Sequence, residues 1–244
     1  MIIYFVISFI LSVIFAMAGT GSGIALIPIL HFMGIGFDLA KVVGLMAGLV
    51  TTSTSSVLNY KRGVLDIYTA VPLIITLPLS AFIGAQLSKY IDQNAAKTLF
   101  AIFLIFSASI MLFFKKEAKV DYHNIWIMGS LGIAVGIVAG LLGIGGGNLL
   151  LPLLILFGFE PKKVAVAVSF VIPFTVIASL ISYATFVQID WSLAISSTIG
   201  AMLGAIVGNN ILHTKLSQKG VKRVIAVLLY IIALKMLLGV FAKV

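Results

Sequence analysis

A chain of 244 residues, 61% hydrophobic and 9% charged, with a mean hydropathy of +1.24, cannot hide its apolar surface in a soluble domain. It reads as an all-α polytopic membrane protein. The absence of cysteine excludes disulfides, Cys-ligated zinc, iron–sulfur clusters and thiol catalysis, and the net charge of +9 fits basic cytoplasmic loops better than nucleic-acid binding.

The first apolar segment covers residues 2–18 and ends in Ala16-Met17-Ala18, a small-x-small pattern that could mark signal-peptide cleavage. No Lys or Arg precedes it, and the same pattern of segments returns later in the chain, so a retained segment is the better reading. A Gly-rich break, "GTGSG", leads into a short apolar segment at 24–33. Three full-length candidates follow near 38–59, 68–87 and 95–114. The basic stretch "KKEAKVDYHN" (115–124) is a linker. The second half runs through 125–142, a second break "GIGGGN", 148–157, 162–185, 191–212 and 220–241. Ten helical residues rise about 15 Å, half of the roughly 30 Å hydrocarbon core, so the short segments do not span.

The halves repeat each other. Shifted by 124 residues, "GTGSGIALIPILHFMG" (19–34) lies over "GIGGGNLLLPLLILFG" (143–158) with seven identities in sixteen positions, among them Gly21/Gly145, Gly23/Gly147 and Pro28/Pro152. The same shift pairs Asp66 with Asp190 and Gly84 with Gly208. The chain therefore divides into a first repeat (1–114), a cytoplasmic linker (115–124) and a second repeat (125–244), forming one integral membrane unit.

Charge sets the topology. If each Gly-broken pair enters and leaves on one face, each repeat makes three true crossings and the repeats are inverted. Lys61, Arg62, Lys115, Lys116, Lys119, Lys162, Lys163, Lys215, Lys219, Lys222 and Arg223 then share one side. The other side holds Lys41, Lys89, Lys97 and Lys243, with Lys235 inside a span. Such a bias marks the first side as cytoplasmic and places both termini outside. The first arm of each pair, about 17 residues long, is nearly enough to cross by itself.

Inverted repeats with broken helices are a pattern of secondary transporters, which bind substrate near the midplane between the repeats. Where a helix restarts after glycines, its first N–H groups and the helix dipole carry partial positive charge suited to an anion. Candidate substrate-binding residues are therefore Thr20, Gly21, Ser22 and Gly23 in the first break, and Gly145, Gly146, Gly147 and Asn148 in the second. Hydroxyls in the following spans join them: Thr51, Thr52 and Ser55, then Ser169 and Thr175. These could donate to an oxyanion or bond back to the carbonyl four residues earlier. Close helix packing is the competing reading of the glycines, and it suits "GAIVG" (204–208) better. Asn209, Asn210 and Gln86 are weaker candidates, and Lys235 is expected to snorkel.

All seven acids fall at predicted ends or in loops, where helix capping explains Asp38, Asp66, Glu160 and Asp190. No carboxylate relay for protons or sodium is evident. The three histidines, His31, His123 and His213, lie at distant predicted ends. The residues offer no catalytic set, metal site or cofactor site.

At the paired "GTGSGIALIPIL" and "GIGGGNLLLPLL", each followed by a Phe-Asp/Glu turn and a full span, the chain resembles the sulfite exporter TauE/SafE family over essentially its whole length. Ser22 departs from the motif, where a glycine is expected. The resemblance implies a cell-membrane, multi-pass transporter whose partners are the lipid bilayer and a small inorganic or organic sulfur anion, such as sulfite, sulfoacetate or a related organosulfonate. The residues themselves argue only for an anion. A passive anion channel, or a carrier of another small anion, is the alternative. Coupling ion and homo-oligomeric state are not readable from the sequence.

Overall fold

The computed structural model describes residues 1–17, 21–61, 71–113, 125–146, 149–150, 153–154, 161–212 and 218–241. Among these residues there is no strand. The helices are α1 (Ile2–Ala16), α2 (Gly23–Phe32), α3 (Phe37–Lys61), α4 (Val71–Leu87), α5 (Gln93–Phe113), α6 (Ile125–Leu142), α7 (Pro161–Ala184), α8 (Trp191–Leu212) and α9 (Gln218–Phe241). A 3-10 turn, Ser88–Tyr90, extends α4. Residues 149–150 and 153–154, after the second glycine break, are also helical.

Long apolar runs make these helices, and polar residues end them. Asp92 accepts from the N–H groups of Asn94 (2.8 Å) and Ala95 (3.1 Å), capping α5. Asp190 does the same for α8 through Ser192 (3.0 Å) and Leu193 (3.1 Å). Each such cap stabilises its helix by about 1 kcal/mol. Five helices among the described residues are long and apolar enough to cross a membrane. Ile75, Leu79, Ile102, Ile231 and Leu234 stand exposed on them, a surface that water would penalise and lipid accepts. Exposed Tyr60, Tyr90 and Trp191 sit at helix ends, where amphipathic rings suit the membrane interface.

Packing repeats with the sequence. The principal pairs are α1 on α8, α4 on α6, α5 on α9, α4 on α7, and α3 on both α7 and α8. A shift of 124 residues exchanges α1 with α6, α3 with α7, α4 with α8 and α5 with α9. That exchange turns the α1–α8 seam into the α4–α6 seam and the α3–α8 seam into the α4–α7 seam. It maps α3–α7 and α5–α9 onto themselves. The first helix of each half thus lies on the fourth helix of the other half.

Both cross-half seams are glycine-lined. A Cβ on Gly200, Gly204 or Gly208 would run into the carbonyls of Phe5, Phe9 and Val13 in turn. One on Gly84 or Gly140 would meet the carbonyls of Ile137 and Ala81. Register rises together along α1 and α8, so the two helices run parallel at backbone-to-backbone distance.

One end of the molecule gathers the first turns of α3 and α5, the ends of α4 and α7, and the last turns of α9. Lys41 Nζ donates to Ser88 Oγ (2.8 Å), and Gln86 Nε2 donates to Thr185 Oγ1 (3.2 Å). Phe37 and Gln93 share a cavity with Met236 and Val240. Toward the other end, Asn209 Nδ2 donates to Ser55 Oγ (3.0 Å), joining late α8 to late α3.

The first arm of the second pair goes far. The 18 residues of α6 rise about 27 Å. The Tyr183 hydroxyl, near the end of α7, reaches its last turn at the carbonyls of Gly140 (2.9 Å) and Leu141 (3.0 Å). The last turn of this arm therefore stands beside the end of α7.

Candidate functional site

Each glycine break delivers its short helix to the middle of the long helix that follows. In the first half, a Cβ on Gly21 would touch Thr52 (3.3 Å) and Gly48, and one on Gly23 would strike the Gly44 carbonyl. In the second half, a Cβ on Gly145 would meet Val176 (2.8 Å) and Ile172 (3.7 Å), which stand 124 residues beyond Thr52 and Gly48. Ser22 bonds Thr51, while a Cβ on Gly146 would touch Thr175 at 3.1 Å. These pairs also differ by 124. The two breaks are seated on corresponding turns of α3 and α7, which pack on one another, with the Ser56 hydroxyl donating to the Ser169 carbonyl.

The second break is shaped by backbone conformation. Gly143 and Gly145 adopt φ of +69° and +66°, a region that costs an L side chain about 1 kcal/mol or more. The helical register ends at Leu142, and the Leu150 N–H bonds the Gly146 carbonyl (2.9 Å) as the next helical turn opens. In the first half, α2 starts at Gly23 with Ser22 as N-cap residue and no side-chain cap. The N–H groups of Ala25 and Leu26 both bond the Ser22 carbonyl (3.2 and 3.1 Å), and those of Gly23 and Ile24 have no partner among the described residues. Pro28, inside α2, supplies no N–H to the carbonyl of Ile24.

The hydroxyls point along the backbone. Thr51 donates to the Ala47 carbonyl (2.7 Å), Thr52 to Gly48 (2.7 Å), Ser55 to Thr51 (3.0 Å) and Thr175 to Val171 (3.2 Å). A hydroxyl carries one proton, so in this conformation these four present lone pairs to their surroundings. Ser12 on α1 donates to Ser22 Oγ (2.7 Å), and Ser22 lies 3.2 Å from Thr51 Oγ1. With the Thr51 proton committed to Ala47, Ser22 is the donor of that second bond. A buried chain Ser12→Ser22→Thr51→Ala47 closes the first half. At the corresponding positions 136, 146 and 175, the second half has two glycines and one threonine.

Of the sequence candidates, the fold brings Gly21, Ser22, Gly23, Thr51 and Thr52 together. It places Gly145 and Gly146 with Thr175. Ser55 sits one turn further along α3, held by Asn209. Thr20, Gly147 and Asn148 lie outside the described residues, as do Asp66, Pro152, Glu160, His123 and His213. Gln86 faces Thr185 and the Ser182 carbonyl at the far end of α7. Among the described residues no group of three His, Asp or Glu could hold a metal ion.

Two residues carry more than the sequence suggests. Ser12 sits in a run that reads only as hydrocarbon, yet it anchors the hydroxyl chain. Lys41, grouped by sequence with the loop lysines, is only 1% exposed. Its ammonium bonds Asp38 (3.1 Å) and Ser88 (2.8 Å) and lies 4.8 Å from the Phe37 ring centroid and 5.6 Å from that of Tyr183. Its aliphatic stem packs where a Cβ on Gly143 would fall, 2.7 Å away. Spacing from Asp38 could suggest the ion pair; nothing local could supply Ser88 or Tyr183. Lys235 stands exposed, its ammonium 4.6 Å from the Phe32 ring centroid.

Comparison with known proteins agrees with this architecture. The profile of the family described as Sulfite exporter TauE/SafE matches residues 4–236. The probable membrane transporter protein YunE of Bacillus subtilis is 28% identical over 99% of this chain and 99% of its own length. A probable membrane transporter protein of Methanocaldococcus jannaschii is 32% identical over 74% of this chain and 71% of its own. A third, YdhB of Bacillus subtilis, is 28% identical over 82% and 85%. The chain is thus a helical membrane protein of transporter type, and it belongs to the sulfite exporter TauE/SafE family.

Proposed function

We propose that this protein is a secondary transporter of a small sulfur oxyanion, sulfite or an organosulfonate such as sulfoacetate, working by alternating access in the cell membrane. The anion is held between the restarted helices at Gly21–Gly23 and Gly145–Gly147, beside Thr51 and Thr175. The repeats, 1–114 and 125–244, are inverted about that point, joined by a cytoplasmic linker at 115–124, and both termini face outward.

The observation that carries this reading is the seating of both breaks on corresponding turns of α3 and α7. A shared end for the first turns of α3 and α5 and the last turns of α9 supports inversion. If each broken pair crossed once, the repeats would be parallel and those ends would lie on opposite faces. The substrate class rests on family membership. Broken-helix N-termini, with about half a positive charge each, fit any small anion. The committed protons of Thr51, Thr52, Ser55 and Thr175 leave the backbone N–H groups as the donors in this conformation.

Uptake of labelled sulfite and of sulfoacetate into proteoliposomes tests the proposal. Saturable uptake of either, accelerated by the same anion inside, is the expected result. Uptake that rises linearly with concentration, without acceleration from inside, makes the protein a channel. No uptake of either by monodisperse protein removes the substrate assignment.

A further inference from the structure

Two cavities open at the end of the molecule that holds Phe37 and Gln93. One, of about 650 Å³, is lined by His31, Gln93, Lys97 and Lys235 among apolar neighbours. The other, of about 190 Å³, is lined by Asp38, Lys41, Ser88, Lys89 and Gln93, with Ala96 and Phe186. They share Gln93. Their linings hold four ammonium groups and one carboxylate, Asp38; the Asp92 carboxylate, which caps α5, is outside both linings. Lys41 is buried although three sides of its surroundings are carbon: the rings of Phe37 and Tyr183 and the turn at Gly143. Of its three N–H donors, two are matched by Asp38 and Ser88 among the described residues. Its stem lies on Gly143, three residues before Gly146.

We propose that these adjoining cavities form a cationic antechamber for a free oxyanion, with Lys41 as its deepest anchor, handing the anion to the Gly143–Gly146 break. The bound anion takes the third ammonium proton of Lys41. Lys89, Lys97 and Lys235 raise its local concentration, because like-signed charges around a low-dielectric recess focus the field. The route onward rests on the transport reading above; the anion site itself does not.

The test uses purified full-length protein in neutral-lipid nanodiscs, which makes it independent of any flux. The chain has no cysteine, so Gln93→Cys offers a single thiol at the junction of the cavities. Its reaction rates with the anionic and cationic methanethiosulfonates MTSES and MTSET are compared with those of a small thiol in solution. One unit charge about 6 Å away in water changes the anionic-to-cationic ratio about tenfold. A ratio raised about tenfold or more is expected, falling when Lys41→Gln is added. Sulfate, at constant ionic strength, should slow both reagents. If Lys41→Gln does not fold, the exposed Lys89→Gln with Lys97→Gln must lower the ratio instead. A ratio equal to the free thiol's, or no slowing by sulfate, overturns the proposal. Slowing by phosphatidylglycerol but not by sulfate overturns it too, assigning the site to a lipid headgroup.

Discussion

At the scale of single residues, the first half of the candidate site holds two buried hydroxyls, Ser12 and Ser22, where the second half has Gly136 and Gly146. Ser22 accepts from Ser12 and donates to Thr51 in a region without exposure. Removing its oxygen leaves Ser12 with only the 3.4 Å contact to Thr51. A net hydrogen bond is worth about 1 kcal/mol, and a buried orphan costs about 1–3 kcal/mol. Ser22→Ala should therefore lower the thermal midpoint of the purified protein by several degrees, and an unchanged midpoint would show the chain is not structural. This asymmetry was legible in part. The sequence shows Ser22 standing where a glycine belongs, but not where its proton goes. The direction of a hydroxyl depends on carbonyls one turn back and on helices 30 to 40 residues away. Lys41 was hidden for the same reason. Its partners Ser88 and Tyr183 come from α4 and α7, and no local pattern distinguishes a buried lysine at a helix start from a solvated one.

Among the elements, the helices follow the hydropathy closely, because a run long enough for the bilayer has few other ways to satisfy its backbone. Expected spans at 38–59 and 191–212 are observed at Phe37–Lys61 and Trp191–Leu212. Partner choice was less legible. The "GAIVG" stretch reads as a packing motif, but its partner is α1, the first helix of the opposite half. Two glycines separate packing from mere presence. Gly208 lies against the Val13 carbonyl, whereas nothing lies within 4 Å of a Cβ on Gly239 in α9. Gly208→Leu should destabilise by about 1–3 kcal/mol or more through overpacking. Gly239→Leu should be neutral or stabilising by up to about 1 kcal/mol, since it removes a flexible glycine from a helix. Thermal midpoints of the two variants in one detergent check the contrast; equal losses would mean the α1–α8 seam is not close-packed.

The whole molecule is organised by exchange between the halves. Each first helix lies along the fourth helix of the other half, while each break is seated on the long helix of its own half. Alternating access is a natural consequence if the halves are inverted: the same two arrangements of the seams, read from opposite faces, give an outward and an inward opening. Positions after α3 and after α7 decide the matter, because they correspond in the repeat. Parallel halves put both on one face; inverted halves put them on opposite faces. Lys61 and Gln188 are exposed at those ends, and the cysteine-free chain gives each introduced thiol a clean background. The decisive measurement is labelling of Lys61→Cys and Gln188→Cys in intact cells with a membrane-impermeant maleimide, before and after permeabilisation. Inversion predicts that Gln188→Cys labels from outside and that Lys61→Cys labels only after permeabilisation. Labelling of both from the same face would contradict it.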